Sequence, residues 1–344
     1  MLNARRSWDP LYGRIDLTEF EFGLLRLPEV QRLRYVRMCN INSLLVSGAS
    51  EISRFEHTIG VLWLAKRWTQ THAVPNSIAQ DIISAAVLHD MQTGPFGHSM
   101  QYVLEDNDLD ATFIHEDLSH GWRSTYHQEI LAGATFAGKL FGAPAYLGPH
   151  WENVAKIIRG EGDYGPLIAG TMDLDNIDNV VRLAFHVGVT EKDDHFVALR
   201  LAEQLQLANG NIILPDSMIE TVERWQHIRR RLYELLLLDW AEFSAKAMLT
   251  RAIEEASAHN LIGSDSWVRT DGEFLEYLER TAIGDAQEVR NLIRRLKAGD
   301  LYEPILLVGS PSIDTYAALN SIEIKRELEA DIIRESKVKG VKII

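Results

Sequence analysis

The sequence predicts a mainly α-helical protein with a small peripheral α+β extension. Three observations carry that prediction. Apolar residues recur at helical spacing through most long segments, which marks helices with one face turned to a core. Strand-like runs are confined to residues 9–17, 212–214 and 301–308. No internal repeat or low-complexity linker interrupts the 344 residues, so the expected organisation is a helical core over residues 1–300 and a short strand plus helical extension over 301–344.

Composition narrows the functional classes. The content of 46% hydrophobic and 24% charged residues is that of an ordinary globular protein. Cys39 is the only cysteine, which rules out an intramolecular disulfide and a thiolate-rich zinc site and favours a reducing, cytoplasmic setting. The first sixteen residues carry Arg5, Arg6, Asp9 and Arg14 with no apolar core. No stretch reaches the roughly eighteen apolar residues of a membrane span, so neither secretion nor membrane insertion is expected. A balance of 35 basic against 49 acidic residues gives a formal charge of −14, which argues against extended nucleic-acid binding. A small anionic substrate stays compatible, because metal ions and a few arginines can reverse the field inside one pocket.

Taken in order, residues 9–17 read as a short hairpin. A helix begins at Pro28 and stacks Val30, Leu33, Arg34 and Met38 on one side. Leu44 to Ser50 reads as a loop. The next helix starts at Arg54 and puts His57, Val61, Leu64, Ala65 and Trp68 on one inward stripe. A further apolar helix ends in the adjacent pair His89-Asp90, after which Gly94, Pro95 and Gly97 force a turn that returns His98 beside it. Residues 99–127 are polar and irregular, carry His115 and His127, and suit a loop or lid over a site. Helical pattern resumes from Gln128 to Ile158 with an interruption over Gly142–Pro149. On the following helix Asp175, Asp178 and Arg182 share a face, so one acid can take a metal while the other is neutralised by the arginine; the alternative is a solvated face with one ion pair. Asn209-Gly210-Asn211 marks a turn between a helix and the strand Ile212–Leu214. A long helix then runs from Asp216 past Arg229, Arg230 and Arg231 to Leu238, and the three arginines fit an exposed face, a phosphate clamp or an oligomer contact. Helices fill 240–297, Leu301–Val308 reads as a late strand, and an amphipathic segment closes the chain.

A lone buried histidine is ordinarily a core residue satisfied by a carbonyl. His57 has company: a His-Asp pair 32 residues later, on what should be the neighbouring helix. Imidazole and carboxylate together suit Mn, Fe, Ni or Zn.

His57, His89-Asp90 and Asp175 together reproduce the H…HD…D signature of the HD-domain phosphohydrolase superfamily. The flanks Asp9-Pro10-Leu11-Tyr12-Gly13, Gln31-Arg32-Leu33-Arg34-Tyr35, Gly48-Ala49-Ser50, Arg54-Phe55-Glu56-His57, Gly94-Pro95-Phe96-Gly97-His98 and Arg231-Leu232-Tyr233 resemble the deoxynucleoside triphosphate triphosphohydrolases, the dGTPase-type and SAM-and-HD-domain branch. The resemblance covers about residue 9 to about residue 308. It implies an HD-domain helical core with His57, His89, Asp90 and Asp175 as ligands of a divalent transition metal (Mn, Fe, Ni or Zn), with Mg as the second ion if the site holds a pair. It implies catalytic roles for Asp90 and for His98, which would protonate the leaving oxygen, and a lid histidine at His115 or His127. Arg54 resembles the arginine that grips phosphate, and Tyr233 the aromatic under the deoxyribose. Met38, Cys39, Asn176 and Asn179 fall at substrate-facing positions. Departures are equally specific. Thr93 replaces a further histidine and Gln101 an acid, Met38 and Leu183 replace a Gln and an Asp at the sugar, and Asn176, Asn179 and Trp225 stand where Lys, Tyr and Arg hold the polyphosphate.

The expected activity is therefore metal-dependent hydrolysis of a (deoxy)nucleoside triphosphate or related nucleotide by attack of hydroxide on phosphorus. Its alternatives are a nucleoside monophosphate or other phosphate ester as substrate, a nucleotide-sensing or assembly module with weakened turnover, and a structural helical protein. The resemblance also implies a homo-oligomer.

Overall fold

A computed structural model describes residues 5–39, 52–97, 99–100, 142–263, 266–305 and 322–336. Its first element is the expected hairpin, in which β1 (Arg5–Asp9) pairs antiparallel with β2 (Gly13–Leu17). Asp9 shapes the turn by accepting the N–H groups of Leu11 and Tyr12 on one oxygen, at 2.9 and 2.8 Å. Helix α1 (Glu19–Leu25) starts from a capping box at Thr18, and α2 (Pro28–Arg32) from proline in its first turn.

The helix predicted to continue to Met38 stops sooner, with a single 3₁₀ turn at Leu33–Tyr35 and extended backbone at Val36. The cause lies far along the chain: the Arg37 N–H donates to Asp271 Oδ2 at 2.8 Å, and Arg37 forms a β-bridge with Ser53. A buried carboxylate thus takes the amide that a longer helix would have used. The loop expected at 44–50 lies outside the described residues.

Helix α3 (Arg54–Thr71) is the hub, capped by the Ser53 hydroxyl, which accepts the Glu56 N–H. His57, Val61, Leu64, Ala65 and Trp68 are all buried, as their spacing predicts. Around it stand α4 (Asn76–Leu88), α5 (Ala143–Leu147), α6 (Trp151–Ile158), α7 (Leu174–His186) and α8 (His195–Gln204), with α3 touching α4, α7 and α8 directly. The residues just before Asn209 do not extend that last helix. They form β3 (Gln206–Ala208), paired with β4 (Asn211–Ile213), because Asn209 and Gly210 both take the left-handed backbone of a two-residue hairpin turn, at φ +53° and +72°.

Helix α9 (Ile219–Leu238) packs on α7 and α8 and leads to a second apolar cluster built by α10 (Trp240–Ala258), α11 (Asp271–Thr281) and α12 (Gln287–Ala298), together with Phe96 and Met100. The strand expected from Leu301 is not formed over its described part, 301–305. Side chains of α10 serve that backbone instead: Ser244 donates to the Tyr302 carbonyl at 2.6 Å, and the Tyr302 N–H faces Met248 sulfur at 3.4 Å. Residues 306–308 lie outside the described range. Helix α13 (Ile322–Ser336) follows. The fold is mainly helical, with two small two-stranded sheets among the described residues. No helix among them is long and apolar enough to cross a membrane.

Candidate metal centre

Three helix ends meet at the site. His57 sits in the first turn of α3, His89 and Asp90 end α4, and Asp175 sits in the first turn of α7. Asp173 fixes that last turn by accepting the N–H groups of Asn176 and Gly170, at 2.7 and 2.6 Å. His57, His89 and Asp90 are buried and offer ligand atoms within 4.8 Å of one another. Asp175 joins them, with Oδ1 at 2.8 Å from His57 Nε2 and 3.7 Å from His89 Nε2.

One atom tests whether this set fits a cation. His89 Nδ1 hydrogen-bonds the Ala86 carbonyl at 2.9 Å, so its proton belongs there and Nε2 presents a lone pair. That Nε2 is buried without a hydrogen-bond partner, 3.5 Å from Asp90 Oδ2. A buried acceptor aimed at carboxylates is unfavourable for any occupant but a cation or a donor. Two imidazoles and the Asp90 carboxylate within reach of one another, with the Asp175 carboxylate beside both imidazoles, fit a divalent ion of borderline softness.

The electrostatics reflect the same crowding. Burial pulls the His57 pKa down, but hydrogen bonds to Asp175 and to Asp178, whose Oδ2 lies 2.7 Å from Nδ1, more than offset it and carry it to about 9. Asp175 is lowered: burial acts against its charge, and the His57 hydrogen bond with the nearby His89 overrides burial.

Asp90 is held from two further sides. Arg54, itself buried, donates from Nη1 to both Asp90 oxygens at 2.6 and 2.7 Å, and Thr93 Oγ1 donates to Oδ1 at 2.8 Å. The threonine at the family's histidine position therefore serves as a support of Asp90, which its residue type alone could not reveal. Gly97 takes φ +62°, and a Cβ there would press on the Arg54 guanidinium. Arg32 donates to the carbonyls of Met91 and Thr93 and so pins the turn after the His-Asp pair.

The remaining expected residues divide. His98, His115, His127 and Gln101 lie outside the described residues. Met38 packs with Ile52, Leu183 and Leu232 in a small apolar cluster, with Cys39 against it. Asn176 and Tyr233 line a cavity of about 730 Å³ together with Thr171, Trp225, Arg229 and Arg230. Asn179 is half-buried one turn along α7. The Trp225 indole N–H is buried without a partner, and Arg229 stacks on Tyr233 at 4.5 Å. Arg224 and Arg231 are paired with Glu191 or Asp194, whereas Arg229 and Arg230 have no carboxylate partner among the described residues.

No family model matches the chain. A protein of Dictyostelium discoideum described as a deoxynucleoside triphosphate triphosphohydrolase SAMHD1 homolog is 22% identical over 355 residues, covering 94% of this chain and 66% of that protein. A crystal structure of a phosphohydrolase from Bacteroides thetaiotaomicron superposes with a TM-score of 0.69 at 18% identity, covering 94% of this chain and 84% of that one. In sequence and fold the chain is similar to phosphohydrolases of the HD-domain, dGTPase-like kind. YwfO of Bacillus subtilis, an uncharacterized protein, is 26% identical to this chain over 256 residues, covering 72% of it. The chain spans 55% of the length of YwfO and 66% of the Dictyostelium protein.

Proposed function

We propose that this HD-domain chain is a metal-dependent phosphohydrolase acting on nucleotides, with deoxynucleoside triphosphates as the first substrates to test. The observation that carries the reading is the unpartnered His89 Nε2, buried among the carboxylates of Asp90 and Asp175 and edge-on to His57, with ring centroids 5.3 Å apart. His57, His89, Asp90 and Asp175 would hold the ion. When bound, a divalent ion lowers the pKa of water toward neutrality and offsets charge on phosphoryl oxygens.

The chain's own groups supply the rest. Arg54 and Thr93 orient Asp90, and Asp175 is the most open of the four, with its side chain 31% exposed. Asn176, next to it, leads into the cavity where Arg229, Arg230 and the Trp225 N–H offer donors to an anionic substrate. His98 is proposed to protonate the leaving oxygen, with His115 or His127 as a second catalytic histidine.

One observation favours a second reading, a nucleotide-sensing module with slow turnover. Arg54, the expected phosphate grip, spends its Nη1 on Asp90. Incubating Mn-loaded protein with a nucleotide panel separates the cases. Release of triphosphate or orthophosphate that vanishes in His89→Ala and Asp90→Ala supports the hydrolase. Tight nucleotide binding with no product supports the sensor, and activity unchanged in both variants contradicts the metal-centre chemistry.

A further inference from the structure

We infer that Asp178 is the positioning residue of this centre: held on three sides by Arg182 and Tyr12, it anchors His57 Nδ1 and thereby turns His57 Nε2 toward the cation site. The inference rests on the metal-centre reading above.

The two acids of α7 have been sorted by their surroundings. Asp178 is fully buried, and each of its oxygens is doubly engaged. Oδ2 takes His57 Nδ1 at 2.7 Å and Arg182 Nε at 2.8 Å, while Oδ1 takes the Tyr12 hydroxyl at 2.7 Å and Arg182 Nη2 at 3.1 Å. A carboxylate has about four lone-pair sites, so Asp178 has nothing left to offer a metal. Asp175, one turn earlier and partly open, keeps that capacity. Because Asp178 can only accept from these donors, His57 keeps a proton on Nδ1, and Nε2, which here hydrogen-bonds Asp175, is the nitrogen that would exchange its proton for a cation.

The support is itself built deliberately. Arg182, buried beneath the site, also reaches Asp9 at 2.9 Å and Glu56 at 2.7 Å, and its guanidinium lies 5.5 Å from the Tyr12 ring centroid. Asp9 and Tyr12 come from the turn of the β1–β2 hairpin, so that hairpin is a working part of the centre. Gly60 explains how the pair fits against α3. A Cβ at that position would collide with Asp178 Oδ1 and Arg182 Nη2, which accounts for glycine in a helix interior where it disfavours the helix.

The test is a Co²⁺ titration of the full chain, following visible d–d absorption, with circular dichroism as the check on folding. Asp178→Asn is expected to keep the helical spectrum, weaken Co²⁺ binding about 10- to 100-fold and alter the absorption band. Tyr12→Phe, which removes a single hydroxyl, should weaken binding in the same direction by less. Wild-type affinity and band shape in Asp178→Asn overturn the inference alone. If Asp178→Asn does not fold, Tyr12→Phe decides: unchanged Co²⁺ affinity overturns the inference, and a loss supports it. Wild-type chain that takes up no Co²⁺, or takes it up as well after His57→Ala, overturns the metal-centre reading and this inference with it.

Discussion

Glu29 illustrates how much one buried group can set. It lies on α2 with Oε2 unpartnered, while Oε1 accepts the Ala143 N–H at 2.6 Å. Burial raises its pKa from 4.5 to about 7 against the opposing pull of backbone donors and Arg32. The folded chain therefore keeps a proton that the unfolded chain releases, so stability falls as pH rises from about 4.5 to about 7 and then levels off. A shift of that size is worth about 3 kcal/mol. Glu29→Gln should flatten this part of the stability–pH curve measured by urea denaturation; a slope equal to wild type contradicts the assignment. At this scale the sequence was legible where residue type and spacing suffice, as for the mutual approach of His57, His89, Asp90 and Asp175. It was silent where the partner is remote. The bond from the Tyr12 hydroxyl to Asp178 spans 166 positions, and nothing local to either residue signals it.

Two caps at the level of elements determine whether the ligands meet. Asp173 closes the N-terminus of α7 two residues before Asp175. Asp173→Ala should cost about 1–2 kcal/mol in denaturant stability and weaken Mn²⁺ affinity, whereas loss of stability with unaltered affinity would separate the cap from the site. Asp271, at the start of α11, accepts the N–H groups of Arg37 and Phe96, each at 2.8 Å. Asp271→Ala leaves two buried donors unpaired, at a cost of about 2–4 kcal/mol. Hydrogen exchange should then quicken at both amides, and unchanged protection would mean that other contacts hold them. Helices with a strong apolar stripe, such as α12 with Val289, Leu292, Ile293 and Leu296 buried, were predictable from period alone. The early end of α2 and the missing strand at 301–305 were not, because carboxylates and hydroxyls from distant helices satisfy those backbones.

For the molecule as a whole, the formal charge of −14 opposes the approach of anions, which gives weight to cations that have no carboxylate partner among the described residues. Arg229 and Arg230 share one cavity with Asn176, next in sequence to Asp175. Replacing both by Ala should weaken competition by inorganic tripolyphosphate about tenfold while leaving orthophosphate nearly unaffected; equal losses for both anions would place the grip elsewhere. The arginine run was visible in the sequence as a clamp, a contact or a solvated face, and the choice among them needed the neighbouring helices. The ends of α3, α4 and α7 converge on one proposed cation site. Anomalous diffraction from Mn-loaded crystals, collected above the Mn absorption edge, tests it most directly. The account predicts a single strong peak bonded to His57, His89, Asp90 and Asp175, at about 2.0–2.3 Å, the general range for such ligands. A difference map with no peak among those four side chains, or a peak bound elsewhere, would contradict it.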